Sequence, residues 1–556
     1  MKKYIISCVV SCLLCFAGCD SALEKYPLDT PSSSTYPSNE TELKMAMWGA
    51  YASLWSGINY NMTVTALLDC ATDIGWERAW TPLQSLGNGS QDANNEFAST
   101  VWRNLYRGIS RCNYILDNME RAKANTSTDV YNQVEGEARF LRAYYYLLLT
   151  EFWGDVPLVI KTLKLEEATM AKTSKAEIVE FILTEFDEAA KKLPVHIDEA
   201  NSGRAGKGAA LAFKARAALY NGKWSIAAEA AKAVMEMNEY ELHPNFEELF
   251  LSSSQPGIKE LIFFIPYKDG YQTTTAPQGI TSRMGGGYSS KIPTQAMVDS
   301  YDCTDGLSID KSPLFNPEKP FENRDPRMGY TIAVPGSVYM GFQFETHKDS
   351  VECWNYKVTP ARRVANQDAL NPYATFSGYI WRKYSQLSKP EELTRCETAF
   401  IMMRYADVLL MYAEAKIELN QIDASVYAAV NSVRQRPGVG MPAIEPGKSQ
   451  VELRSILRKE RKCELAFEGL RWFDIRRWGI AEKVMVGPLY GRPQRKYISI
   501  APVIDENGTP DYSMVPDRND MRIIELRVFN ALRDKYWPVP RIELETNTAL
   551  TQNPGY

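Results

Sequence analysis

Lys207-Gly-Ala-Ala-Leu-Ala-Phe-Lys-Ala-Arg-Ala-Ala-Leu-Tyr220 is alanine-rich and reads as a helix, and Asn221-Gly222 closes it in a turn. A second alanine-rich stretch follows from Ile226 to Met237. Small side chains let two helices approach closely, so the pair predicts an antiparallel helical hairpin. Gly222, Trp224 and Ala227 fit the turn region of a tetratricopeptide-type repeat. A similar pair recurs at Tyr405–Leu419 and Ala424–Val433, joined by Asn420-Gln421. The repeat is degenerate, which predicts a helix-pair scaffold rather than a regular array.

Other stretches agree with a mainly α protein. Trp102, Leu105, Ile109, Cys112 and Leu116 recur at helical spacing between Val101 and Met119. Gly136–Trp153 reads as another helix, stopped by Gly154-Asp155-Val156-Pro157. Ser174-x-x-Glu177 and Ser449-x-x-Glu452 are capping boxes, the second opening a long helix that runs into Arg471-Trp472-Phe473-Asp474. From about residue 252 to 390 the texture changes to Gly, Pro, Tyr and Asp, with one short strand expected at Leu261–Ile265. Long irregular segments inside compact proteins usually carry function.

The N-terminus carries an address. Lys2 and Lys3 precede an apolar run from Tyr4 to Phe16, and Ala17-Gly18-Cys19 ends it. This order predicts a lipoprotein signal over residues 1–18, cut before an acylated Cys19. The run falls short of the roughly 20 apolar residues that span a bilayer. Ser, Thr and Pro dominate residues 20–39, so 19–40 reads as a tether. The body then divides into a helical region (41–250), a loop-rich subregion with short strands (251–400) and a C-terminal region (401–556) packed with the first.

Composition narrows the partners. The net charge is −5, and the chain lacks a long basic tract, which argues against nucleic acid. Cys70, Cys112, Cys303, Cys353, Cys396 and Cys463 lack CxxC spacing, so neither a zinc site nor a disulfide framework is expected, although one pair could bridge in an oxidising compartment. His196, His243 and His347 stand far apart, without a metal-ligand signature. Gly203-Arg204-Ala205-Gly206-Lys207-Gly208 lacks the glycine spacing and the Ser/Thr of a phosphate loop. No GxSxG elbow is present. No cofactor is expected.

One cluster invites a binding role. Asp73-Ile-Gly-Trp76-Glu-Arg78-Ala-Trp80 places two indoles and two charges in a loop. A sugar ring has an apolar C–H face and a hydroxyl rim; flat aromatic rings match the face, and Asp or Arg pairs with the rim. Arg283, Tyr288, Trp354 and Tyr356 in the loop-rich segment are further candidates. The Arg, Asp and Glu residues of 434–477, by contrast, read as structural. Arg458, Arg461, Glu464 and Glu468 stand at three- and four-residue spacing where opposite charges can pair.

Several motifs together resemble the SusD/RagB family of Bacteroidetes outer-membrane lipoproteins. They include Gly136-Glu137-Ala138-Arg139-Phe140-Leu141-Arg142-Ala143-Tyr144-Tyr145 with Trp153-Gly154-Asp155-Val156-Pro157, and Gly203-Arg204-Ala205 before the alanine-rich hairpin. Arg404-Tyr405-Ala406-Asp407, Glu468-Gly469 to Arg471-Trp472-Phe473-Asp474, and the terminal Gln552-Asn553-Pro554-Gly555-Tyr556 complete the pattern. The resemblance covers almost the whole chain. It implies four tetratricopeptide-like helix pairs against a loop-rich subregion, and a ligand site that includes the loop after the first helix. It also implies an outer-membrane lipoprotein that binds an oligosaccharide as the lid of a SusC-like TonB-dependent transporter, without catalysis. Peptide capture for a RagA-like transporter is the alternative. A surface glycoside hydrolase is a second; it needs two carboxylates about 5–10 Å apart across a cleft. A structural tether without a small ligand is a third.

Overall fold

The computed structural model describes residues 35–55 and 58–556. Cys19 and the signal segment, with most of the tether, lie outside the described residues. The fold is mainly α. Its scaffold comprises α1 (Glu40–Tyr51), α2 (Glu96–Asn118), α3 (Thr128–Trp153), α4 (Lys175–Lys192), α5 (Lys207–Tyr220), α6 (Trp224–Glu236), α7 (Tyr405–Glu418), α8 (Ala424–Arg434) and α9 (Gln450–Glu464). Each of α2 to α8 packs on its neighbour in that order, so α6 hands the stack to α7 across more than 160 intervening residues of chain (236 to 405). The expected hairpins are therefore α5–α6 and α7–α8.

Local sequence explains the close approaches. Gly108 on α2 faces Tyr145 on α3, where a Cβ would meet the phenol ring at 2.4 Å. Arg142 on α3 bridges to both neighbouring helices, donating to Glu185 on α4 at 2.8 Å and to the Asn113 Oδ1 on α2 at 2.8 Å. At the start of α4 half of the expected box forms, Ser174 Oγ accepting the Glu177 N–H at 3.3 Å without the return bond to the Glu177 side chain. Ser449 and Glu452 make the reciprocal box at the start of α9. The C-terminal segment closes over the end of α3. Trp153 donates its indole N–H to the Pro538 carbonyl at 2.8 Å, and Phe152 stacks flat on Trp537 at 4.1 Å.

The sequence predicts one long helix from Ser449 to Asp474; the structure breaks it. α9 ends at Glu464, and a separate helix, α10, runs from Arg471 to Arg477. The break has a partner in the first quarter of the chain. Asp69 accepts the Gly469 N–H at 3.1 Å and the Arg471 N–H at 3.2 Å. Gly469 takes φ +81° with its backbone against Thr65, where a Cβ would lie 2.0 Å from the carbonyl oxygen. Only glycine tolerates both conditions.

The break lets Glu464 and Glu468 aim at partners across elements rather than along their own helix, which corrects the expected three- and four-residue pairing. Glu464 accepts from Arg404 at 2.7 Å, Arg436 at 2.8 Å and Arg327 at 2.9 Å. Glu468 accepts from Arg404 at 2.7 Å and Lys383 at 2.8 Å. All six side chains are buried. Burial alone would raise the Glu464 pKa, but the charges of Arg436, Arg404 and Arg327 hold it far below the usual carboxylate range. These residues come from the loop-rich segment, from the start of α7, from the turn after α8 and from α9 and its C-terminal turn, so one carboxylate ties four parts of the chain together. Arg458 is the exception, bonding Asn507 at 2.9 Å instead.

Short antiparallel sheets cover one side. β1 (Gly75–Glu77) pairs with β3 (Lys291–Pro293), and β2 (Leu261–Ile265), the expected strand, pairs with Phe400–Arg404 just before α7. A four-stranded sheet spans Val338–Ala365. The six cysteines of the body are buried thiols. Among the described residues no cluster of His, Cys, Asp and Glu could hold a metal ion, and no helix is long and apolar enough to cross a membrane.

Glu464→Gln removes the shared anion from three guanidinium groups. Unfolding in denaturant is expected to show a loss of about 3 kcal/mol, because three buried guanidinium groups each lose one of their carboxylate partners, Arg404 and Arg436 keeping Glu260 and Arg327 keeping Asp325 and Glu460; a loss below about 1 kcal/mol would show that the cluster does not hold the regions together.

Candidate functional site

β1 and β3 form the base of the site. Their register sets Trp76 opposite Ile292 and Glu77 opposite Lys291. The Glu77–Lys291 ion pair, 2.7 Å long, is buried on both sides. Glu77 also accepts the Ala79 N–H at 2.6 Å, and Lys291 donates to Asn59 Oδ1 at 2.8 Å. The Arg78 N–H then donates to the Ser290 carbonyl at 2.7 Å, which continues the pairing past the strand. The loop of residues 73–80 is thereby fixed against residues 276–294.

Four chain segments raise aromatic rings and guanidinium groups above this base. Tyr288 is 40% exposed, Tyr373 59% and Phe376 39%. The Arg78 carbon Cζ lies 5.4 Å from the Tyr373 ring centre and 5.8 Å from that of Phe376. Arg78 also donates to the Tyr288 carbonyl at 2.8 Å. Arg283 sits over the Tyr288 ring at 5.7 Å and donates to the Tyr373 carbonyl at 3.0 Å. Tyr60 tilts against Tyr288 with ring centres 6.3 Å apart, and Lys291 lies 4.4 Å from the Tyr60 ring centre beneath it. The result is a continuous surface in which rings alternate with guanidinium groups.

Backbone geometry holds it in place. Asn59, Tyr60 and Asn61 all take left-handed φ values of 21°, 62° and 54°. Such a run is unusual for non-glycine residues and marks an over-determined loop. The loop of residues 282–288 folds back so tightly that a Cβ on Gly287 would lie 2.3 Å from the Thr281 carbonyl oxygen. Asp368 closes it from below, accepting the Arg283 N–H at 2.7 Å and the Met284 N–H at 3.3 Å. Burial pushes the Asp368 pKa up to about 6, against those hydrogen bonds.

The structure sorts the residues singled out in the sequence. Arg78, Arg283 and Tyr288 come together. Trp76 lies under them, 7% exposed, with its ring edge against Phe376 at 5.7 Å. Trp80 is half-buried and turns the other way, edge-on to Phe97 of α2 at 5.3 Å. The two indoles therefore do not form a pair. Asp73 does not reach the surface at all, which corrects its expected place beside a ligand. Its carboxylate is buried in a two-bond pair with Arg471, at 2.9 and 2.8 Å, with Lys462 at 3.5 Å. Burial would raise its pKa; Arg471 and Lys462 hold it at about 2. Trp354, 38% exposed, belongs to the four-stranded sheet, and Tyr356, 46% exposed, follows the end of that strand. Trp354 stacks with Arg363 opposite it, 5.4 Å away. That sheet abuts the Tyr288 loop, Met340 lying against Gly285 and the Gln367 N–H 3.2 Å from the Met284 sulfur.

Tyr60, Tyr373 and Phe376 are the members that sequence reading missed. The Asn-Tyr-Asn triplet at 59–61 and the Pro-flanked Asn371-Pro372-Tyr373 were the available signals. Both carboxylates at the site, Glu77 and Asp368, are buried and bonded to protein groups. The cavity lined by Tyr144, Phe213, Arg216 and Phe473 lies in the helical core and shares no residue with this surface.

Comparison with known proteins agrees with this architecture. Residues 259–556 match the SusD family, and residues 26–219 match a family described as starch-binding associating with outer membrane. The chain is 28% identical to SusD-like protein P2 of Formosa agariphila over the full length of both. It superposes on a SusD-like carbohydrate binding protein from Bacteroides fragilis with a TM-score of 0.80 and 30% identity, over 92% of this chain and 99% of that one. A second SusD-like protein from that species gives 0.75 and 25%, over 96% and 100%. The chain belongs to the SusD family.

Asp73→Asn tests the structural role of that residue. At neutral pH the variant is expected to lose about 3 kcal/mol, since Arg471 keeps a buried charge without its partner. The depressed pKa stabilises the parent above about pH 4 and ceases to do so as pH falls towards about 2, so the gap between parent and variant should close over that window in acid unfolding. A gap independent of pH would contradict the assignment.

Proposed function

We propose that the protein is a cell-surface lipoprotein that binds an oligosaccharide on the Tyr288–Tyr373–Phe376 surface and delivers it to a SusC-like TonB-dependent transporter. The observation that carries this reading is the exposed row of rings interleaved with Arg78 and Arg283. Single exposed aromatics need no explanation, but a grouped set held by a rigid base does. Rings supply flat apolar area at low entropic cost, and guanidinium groups donate to the hydroxyl rim. The carbohydrate-binding description of the Bacteroides fragilis relative supports the same class of ligand.

The placement of the carboxylates supports binding without turnover. Hydrolysis of a glycosidic bond by the usual route needs two carboxylates facing a cleft, one of them able to donate a proton. Asp368 holds a raised pKa, but it is buried, with one oxygen accepting the N–H groups of residues 283 and 284, and Glu77 is paired with Lys291. The anchor rests on Cys19: with an acyl chain there, the body hangs from the outer membrane beside its transporter.

Calorimetric titration against a panel of oligosaccharides tests the reading. One glycan is expected to bind without release of new reducing ends. Tyr288→Ala and Tyr373→Ala should each weaken it about tenfold with an unchanged melting temperature, and Cys19→Ser should move the protein out of the membrane fraction. Affinity unaffected by both tyrosine variants would place the ligand elsewhere, and any turnover would overturn the non-catalytic role.

A further inference from the structure

Most interior arginines pair with carboxylates, Arg324 and Arg476 excepted, which among the described residues donate only to carbonyls; the two at the site likewise have no carboxylate bond, and they stand at an exposed aromatic surface. Arg404, Arg436 and Arg461 each pair with at least two acidic side chains. At the candidate surface Arg78 and Arg283 donate only to carbonyl oxygens among the described residues, those of Tyr288 and Tyr373. The Arg78 Nε is buried with no acceptor. The two cations feel each other: burial and then the Arg283 charge push the Arg78 pKa down. The pattern continues around the same loop. Lys348 donates to the Ala369 carbonyl at 3.1 Å, and Arg522 donates to the Thr375 carbonyl at 3.0 Å and the Thr346 carbonyl at 3.2 Å. Neither has a carboxylate partner among the described residues. Burial, then Arg492, lowers the Arg522 pKa to about 10. Asp368 partly offsets Arg283, but its bonds go to backbone N–H groups and its own pKa is raised.

Four cations thus surround the loop of residues 369–376 in a protein of net charge −5, which has 68 acidic residues from which to supply partners. Glu77 acts on Arg78 as Asp368 does on Arg283, each an offset smaller than the effect of burial; the repulsion that remains among like charges opposes folding, and an anionic ligand would relieve it on binding. Guanidinium groups match the planar oxygens of carboxylates and the oxygens of sulfates in two-bond contacts. The rings between them require that the same ligand present an apolar face.

We infer that the oligosaccharide taken at this surface is acidic, bearing uronate carboxylates or sulfate esters that Arg78 and Arg283 bind while Tyr288 and Tyr373 stack on the sugar faces. This rests on the glycan-binding reading above and narrows it.

Affinity electrophoresis of the purified protein through gels containing single polysaccharides tests it. The gels hold laminarin and amylose as neutral polymers, polygalacturonate and alginate as uronates, and carrageenan and chondroitin sulfate as sulfated ones; poly-glutamate is the peptide arm. Retardation by a uronate or a sulfated polymer is expected, and which of the two identifies the anion. Methyl esterification or desulfation of that polymer should abolish it. Raising NaCl from about 0.05 to about 0.5 M should weaken binding about tenfold. Arg78→Gln and Arg283→Gln should each lower affinity about tenfold for the acidic polymer, with melting temperature unchanged. Selectivity of the parent protein decides the matter even if a variant folds poorly. If a neutral polymer binds best, or removal of the anionic groups changes nothing, the ligand is not acidic, while glycan binding stands. If only poly-glutamate or no polymer retards the protein, the glycan-binding reading falls and this inference with it.

Discussion

The buried ion pair between Glu77 and Lys291 is the contact on which the site depends. It joins two strands of three residues each, drawn from positions more than 200 residues apart in sequence. Such short strands make few ladder hydrogen bonds, and an isolated two-stranded ribbon is marginal in water. A buried charge pair adds little net stability, yet it penalises any register that separates the partners. The pair thus selects one alignment, and that alignment sets Arg78 beside the Tyr288 carbonyl. Lys291 also approaches the Tyr60 face, so the same ammonium group positions a ring of the surface.

Charge performs two opposite tasks in this molecule. Around Glu464 and Glu468 it is buried, balanced and shared among four parts of the chain, which keeps the loop-rich segment in register with the helix stack. Around residues 369–376 it is half-exposed and unbalanced, held by carbonyls that orient the cations without neutralising them. The first arrangement resists rearrangement. The second leaves binding capacity at a surface that is otherwise aromatic. The rigid base matters for affinity, because rings that are already placed lose less freedom when a ligand arrives.

The helix pairs were legible in the sequence because alanine-rich runs, capping residues and turn glycines act locally. α5 begins and ends where its composition says it should, and Ser174 and Ser449 both cap their helices, the second with its full box. The break after Glu464 was not legible, since its cause is Asp69, about 400 positions away in the chain. The site was partly legible for the same reason. Arg78 and Tyr288 stood out by residue type, but whether an Asp or Trp in one loop faces outward depends on what packs behind it. Arg471 draws Asp73 inward, Phe97 takes Trp80, and Phe376 covers Trp76. Tyr60 and Tyr373 join the surface through backbone conformations that no periodicity encodes.

A crystal structure of the protein with the glycan it binds best tests the central claim most directly. The account predicts sugar rings lying flat on Tyr288 and Tyr373, with oxygens of the ligand within hydrogen-bond reach of the Arg78 and Arg283 guanidinium groups. A ligand seated elsewhere on the molecule, with these four side chains unchanged and uncovered, would contradict it.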